Sequence, residues 1–208
     1  MTRIFLIRHG HTDWADKKLA GWLPNVHLSE TGQQQAVALA ERLAPVKFDA
    51  IYSSPLERAL ETAAPLAHAR GLKVIKIPDL GEVKFGDWQG KPLSRLSKKK
   101  EWSIVQTTPS LWRFPNGESI REMQSRAVAA VERVAAGHPT GVVALFSHGD
   151  VIKAIVTHFI GMPLDTFQRL MIAPASVTIL DRGRFGVRLL RLNDTGPLTT
   201  PSRNGHRK

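Results

Sequence analysis

Residues 2–7, Thr2-Arg3-Ile4-Phe5-Leu6-Ile7, run straight into Arg8-His9-Gly10-His11, and that junction decides how the rest of the 208-residue chain is read. A short, nearly continuous apolar run is the pattern of a strand buried on both faces. Its end delivers an arginine and two histidines to the point where the chain leaves the core. A second such junction lies far downstream, where Gly141-Val142-Val143-Ala144-Leu145-Phe146-Ser147 meets His148-Gly149-Asp150.

Between and beyond these junctions, strand and helix patterns alternate. Ser29 is an N-cap for a helix with Ala36, Val37, Ala40 and Leu43 on one face, closed by Pro45. Residues 49–53 read as a second strand. Ser54-Pro55 then reads as a cap with proline at the first helical position. The helix that follows ends near Arg70 at Gly71, with Pro65 predicting a kink or break. Residues 73–77 form a third strand. Ser119 and Glu122 make a capping box for a helix stopped by Gly137. A helix over about 151–160 follows the second junction, and residues 177–181 and 185–192 close the chain as a hairpin about Arg182-Gly183-Arg184.

This alternation predicts an α/β fold of three layers, a mostly parallel sheet with helices on both faces. One domain spans 1–194. The stretch from Leu80 to Glu118, rich in Gly, Pro, Trp and Lys, reads as a cap or lid with one short helix, and 195–208 as a flexible tail.

Composition agrees with an ordinary soluble globular protein, at 42 % hydrophobic and 23 % charged residues. No run is long enough to span a bilayer, and residues 4–7 are too short for a signal-peptide core. Cysteine is absent, which excludes disulfides, iron–sulfur clusters and thiolate catalysis, so a cytoplasmic location is expected. The net charge of +11 suits an anionic ligand. Apart from Lys98-Lys99-Lys100 the basic residues are scattered, which favours a phosphorylated metabolite over nucleic acid.

In a largely parallel sheet the ligand crevice lies beyond the carboxyl ends of the strands. Three polar clusters fall there: Arg8-His9-Gly10-His11, Ser53-Ser54-Pro55 with Arg58, and Ser147-His148-Gly149. Arg58 sits in the first turn of its helix, and helical side chains lean toward the N-terminus, so it points back at the strand ends. Two imidazoles and two guanidiniums in one crevice describe a site for a doubly charged tetrahedral group. Taken alone, each has a plainer account. A histidine after a strand is commonly structural, and Arg58 could pair with Glu57 or Glu61 at the surface.

In this order, the segments resemble the histidine phosphatase superfamily, in its phosphoglycerate mutase-like branch. They are Arg8-His9-Gly10, Leu28 to Ala36, Ser53 to Ala59, Glu82 with Phe85 to Gly90, Gly117-Glu118-Ser119 and Ser147-His148-Gly149. The resemblance implies the corresponding fold, a phosphohistidine formed on His9, and phosphoryl oxygens bound by Arg8, Arg58 and His148. It also implies Glu82 as proton donor, with Gly149, His11 and Gly21 as further phosphate- or substrate-binding positions, and no metal or other cofactor. The expected partner is a small phosphorylated metabolite, not nucleic acid or membrane, and the expected assembly a monomer or homodimer.

The chain departs from the family pattern at Trp14-Ala15, where many relatives carry Trp-Asn; a lost amide removes one phosphate hydrogen bond. The compact interval from Glu82 to His148 favours a phosphatase over a phosphomutase. Two other readings remain at this point: a metal-dependent hydrolase built on His9-Gly10-His11 with His148-Gly149-Asp150, and a non-catalytic phospholigand-binding module.

Overall fold

The computed structural model describes residues 1–196; the rest of the expected tail lies outside the described residues. Its sheet has the order β3-β2-β4-β1-β5-β6. These strands are β1 (Thr2–Arg8), β2 (Ala50–Ser53), β3 (Val74–Lys76), β4 (Val142–Ser147), β5 (Val177–Gly183) and β6 (Gly186–Asp194). The first four are parallel, while β5 runs antiparallel to β1 and β6 to β5. The expected hairpin is present, with its turn at Arg184-Phe185.

Period-two alternation divides the strands between two cores. Ile4, Leu6, Val143 and Leu145 face one layer, with α5 (Ile120–Gly137) and α6 (Gly149–Phe159). Phe5, Ile7, Ala144 and Phe146 face the other, with α1 (Glu30–Arg42) and α2 (Glu57–Arg70). Burying both faces of β1 and β4 explains why their sequences are runs and not alternations.

Local signals set most helix ends. The Ser29 hydroxyl accepts from the Gly32 amide, and Ser119 with Glu122 forms the reciprocal capping box. Gly71 ends α2 in left-handed backbone.

Several expectations are corrected. Val37 faces solvent, and the buried stripe of α1 is Gly32, Ala36 and Leu39, because packing selects the phase of the helix. Pro65 leaves α2 continuous. Leu56, not Ser54, is the N-cap of α2, and the Ser54 hydroxyl is turned to His148 instead. Gly137 is the last residue of α5, which ends at His138.

The stretch 80–118, expected to hold one short helix, holds two α-helices, α3 (Leu93–Leu96) and α4 (Lys100–Thr107). They close over an aromatic cluster. Trp88 stacks on Trp102 with centroids 6.2 Å apart and meets Trp112 and Phe114 at 5.3 and 5.4 Å. Such contacts gather residues from several turns of irregular chain, so no helical period announces them.

Candidate active site

At the carboxyl ends of β1, β2 and β4 lies a cleft of about 390 Å³. Arg8, His9, Arg58, Glu82 and Gly149 line its floor and walls, and Trp14, Ala15, Lys18, Trp102, Lys153 and Met171 extend it outward. His148 is fully buried beside His9, their ring centroids 5.1 Å apart.

His9 Nδ1 lies 2.7 Å from the Gly10 carbonyl. A carbonyl only accepts, so Nδ1 carries the proton and Nε2 keeps its lone pair. Burial, with Arg58 and Arg8 nearby, holds this imidazole well below its ordinary pKa, so it stays neutral. The loop that carries it is wedged against neighbouring elements. Gly10 N–H donates to Thr62 Oγ1 at 2.9 Å, and His11 N–H to Gln35 Oε1 at 2.8 Å. A Cβ on Gly32 would lie 2.0 Å from the His11 carbonyl, so only glycine lets α1 approach this closely.

Arg8 Nη1 donates to the Ile172 carbonyl at 2.6 Å, and Arg58 Nη2 to the Gly21 carbonyl at 2.9 Å. Arg58 is buried, which removes the surface ion-pair account. Each guanidinium keeps one buried nitrogen without a partner among the described residues, Nε of Arg8 and Nη1 of Arg58. His148 adds a third. Its Nε2 lies 2.8 Å from Ser54 Oγ, while its Nδ1 has no hydrogen-bond partner. Ser54 Oγ already accepts from the Leu56 amide, so its own proton is free to go to Nε2, which leaves Nδ1–H as a donor. Buried donors are almost always paired, so three without partners, two on cleft-lining arginines and one on His148 buried beside His9, describe a site made for an anion.

The Glu82 carboxyl is largely buried, with Oε1 accepting from the Val83 amide at 2.9 Å and Oε2 3.9 Å from His148 Nδ1. Burial, reinforced by the charge of Asp150, raises its pKa to about 7 against the opposing pull of Arg58 and Arg8. About half of it is thus in the acid form at pH 7, and more below that.

Two sequence expectations change here. His11 does not line the cleft, because its Nδ1 is held 2.8 Å from Ser29 Oγ. Gly21 does not line it either, and meets the site only through the carbonyl that accepts from Arg58. Sequence reasoning missed Ser54 as the partner of His148, although it lies in the quoted Ser53-Ser54-Pro55 segment. Asp150 was weighed only as part of a metal site, and its charge beside Glu82 was not foreseen. Among the described residues no three His, Asp or Glu side chains converge as a metal site would require.

A family model described as the histidine phosphatase superfamily, branch 1, matches residues 4–195. The chain belongs to the histidine phosphatase superfamily. The expected reaction class, phosphomonoester chemistry on a histidine nucleophile, is borne out by that membership and by the names of its relatives. One relative is phosphoserine phosphatase 1 of Hydrogenobacter thermophilus, 29 % identical over 94 % of this chain and 93 % of that one. Another is a probable phosphoglycerate mutase, GpmB of Cronobacter sakazakii, 31 % identical over 87 % of this chain and 85 % of the other. The solved structure of Bacillus stearothermophilus YhfR superposes with a TM-score of 0.86 at 30 % identity, covering 93 % of this chain and 98 % of that one. That solved structure shares this fold, and the expected α/β architecture stands.

Proposed function

We propose that this histidine phosphatase hydrolyses a small phosphomonoester through a phosphohistidine formed on His9. The observation that carries the reading is the set of three unpartnered buried donors, Arg8 Nε, Arg58 Nη1 and His148 Nδ1, around the cleft lined by His9. The lone pair of His9 Nε2 attacks phosphorus as the ester P–O bond breaks. The three donors hold the phosphoryl oxygens, where charge accumulates in the transition state. Glu82 gives its proton to the leaving oxygen, becomes a carboxylate, and then takes a proton from the water that attacks phosphohistidine. Inorganic phosphate leaves, and Glu82 is protonated again.

Hydrolysis is favoured over mutation by the compact interval between Glu82 and His148, since a mutase must hold its product and exclude water. The arginines beside His9 and the turning of His11 to Ser29 disfavour a cation there. The cleft size suits a metabolite-sized ester.

The test is a panel of phosphomonoesters with phosphate release as readout. It is combined with alkaline quenching and mass spectrometry, since phosphohistidine is acid-labile. Phosphate on His9 during turnover is expected. Turnover with the phosphate on another residue, or phosphoglycerate interconversion outrunning phosphate release, would overturn the reading.

Asp150 provides a separate check. Its charge raises the Glu82 pKa, so Asp150→Asn lowers it. The acid form is then lost sooner, and the alkaline limb of kcat/KM moves to lower pH. A limb that stays in place would remove Glu82 as its origin.

A further inference from the structure

The segment Gly117-Glu118-Ser119 takes no direct part in the chemistry above, yet its contacts lead back to Glu82. Arg126, on α5, spends all five of its N–H bonds on that neighbourhood. Nε and Nη2 donate to the two oxygens of Glu118, at 2.9 and 2.6 Å. Nη1 donates to the carbonyls of Asp79 and Gly81, at 2.7 and 2.9 Å, and Nη2 to the carbonyl of Glu82 itself, at 2.9 Å. Trp22 Nε1 supplies a second donor to that Glu82 carbonyl at 2.5 Å.

Glu118 fixes the other end of the segment. Its Oε1 accepts from the Lys84 amide at 2.8 Å, and its own amide donates to the Lys84 carbonyl at 3.0 Å. A Cβ on Gly117 would lie 2.2 Å from that carbonyl, so glycine is needed for this approach. Ser119 caps the helix that carries Arg126. The three residues of the segment thus each serve one arrangement, and the Arg126–Glu118 pair is mostly buried within it.

We infer that Arg126, locked by Glu118, is a positioning residue that sets where the Glu82 carboxyl stands relative to the leaving oxygen. The inference rests on Glu82 being the proton donor. Arg126 does not line the cleft and touches no reacting atom. Its effect runs through the backbone of 79–84, which has no regular helix or strand around Glu82 to hold it. A displacement of ~1 Å in a catalytic group costs about 10²-fold in rate, so a loosened segment has measurable consequences.

The experiment compares an alkyl phosphate, whose poor leaving group needs an acid, with p-nitrophenyl phosphate, whose leaving group needs little help. Arg126→Lys keeps the charge opposite Glu118 but has three donors for five acceptors. We expect kcat/KM on the alkyl ester to fall roughly 10- to 100-fold. On the aryl ester it should change little, and KM for both should stay close to that of the parent. In a Glu82→Gln background the substitution should cost almost nothing further, because its target is already gone.

An equal loss on both esters, or full additivity with Glu82→Gln, would overturn the inference and make Arg126 a general stabiliser. If Arg126→Lys does not fold, Glu118→Gln must show the same selectivity for the alkyl ester, and its absence is equally decisive against the idea. A Glu82→Gln enzyme with no leaving-group selectivity would overturn the acid assignment itself, a result read without reference to Arg126.

Discussion

His9→Ala is expected to lower phosphate release by roughly 10⁴-fold or more, the scale on which enzymes lose activity when a nucleophile is deleted. The substitution is cleanly interpretable because of what the side chain does in the fold. Among the described residues its only hydrogen bond is to the adjacent Gly10 carbonyl, while the loop is held by backbone donors to Thr62 and Gln35. The loop should therefore survive the loss. Arg8, Arg58 and His148 keep their anchors to Ile172, Gly21 and Ser54, so the variant should still bind inorganic phosphate within a few-fold of the parent. Loss of turnover with retained phosphate affinity is the signature of a missing nucleophile. Equal phosphate release by the variant, or phosphate still found on the enzyme after turnover, would remove His9 from that role. Loss of both turnover and phosphate binding would instead mean that His9 organises the site without attacking.

That His9, His148 and Arg58 could be read in advance follows from the way a parallel sheet is encoded. β1 and β4 are buried on both faces, so each appears as an apolar run that stops abruptly, and the residue after the stop is the one that meets the crevice. Arg58 was legible because helical side chains lean toward the N-terminus, and the structure indeed buries it against Gly21. The capping box at Ser119 and Glu122 depends on residues three apart, which is why it was visible.

What escaped depends on partners far apart in the chain. Ser54 looks like a helix cap by its neighbours, but His148, 94 positions away, takes its hydroxyl. His11 and Gly21 lie outside the segments that carry the family resemblance, and their folded partners are distant in sequence: the His11 ring meets Ser29, and the Gly21 carbonyl accepts from Arg58. Arg126 sits on the amphipathic α5 among ordinary charged residues, and only the folded position of 79–82 gives it the contacts on which its proposed role rests. The cap failed for a related reason. Trp88, Trp102, Trp112 and Phe114 pack across irregular chain, and their composition alone suggested one helix where two form.

Glu82→Gln should separate the chemistry from the stability of the site in one variant. Glutamine has the shape of the protonated acid but no proton to transfer, so on an alkyl phosphate kcat/KM should fall by about 10²- to 10⁴-fold. The parent needs the acid form, whose pKa is about 7, so its kcat/KM should decline as the pH rises through that value. The variant should lack this limb. A second consequence needs no substrate. The folded-state value lies above the ordinary 4.5, so holding the proton favours the native state below about pH 4.5. That contribution is lost as the pH climbs through 7, where an ionised carboxylate must be kept largely buried. Glutamine never ionises. The variant should therefore match the parent in thermal stability at pH 4 and exceed it at pH 8, by up to about 3 kcal/mol. Parallel melting curves at pH 4 and pH 8 measure the difference directly. If the variant gains nothing at the higher pH, burial does not raise the Glu82 pKa. The proton it is proposed to donate would then already be absent at neutral pH.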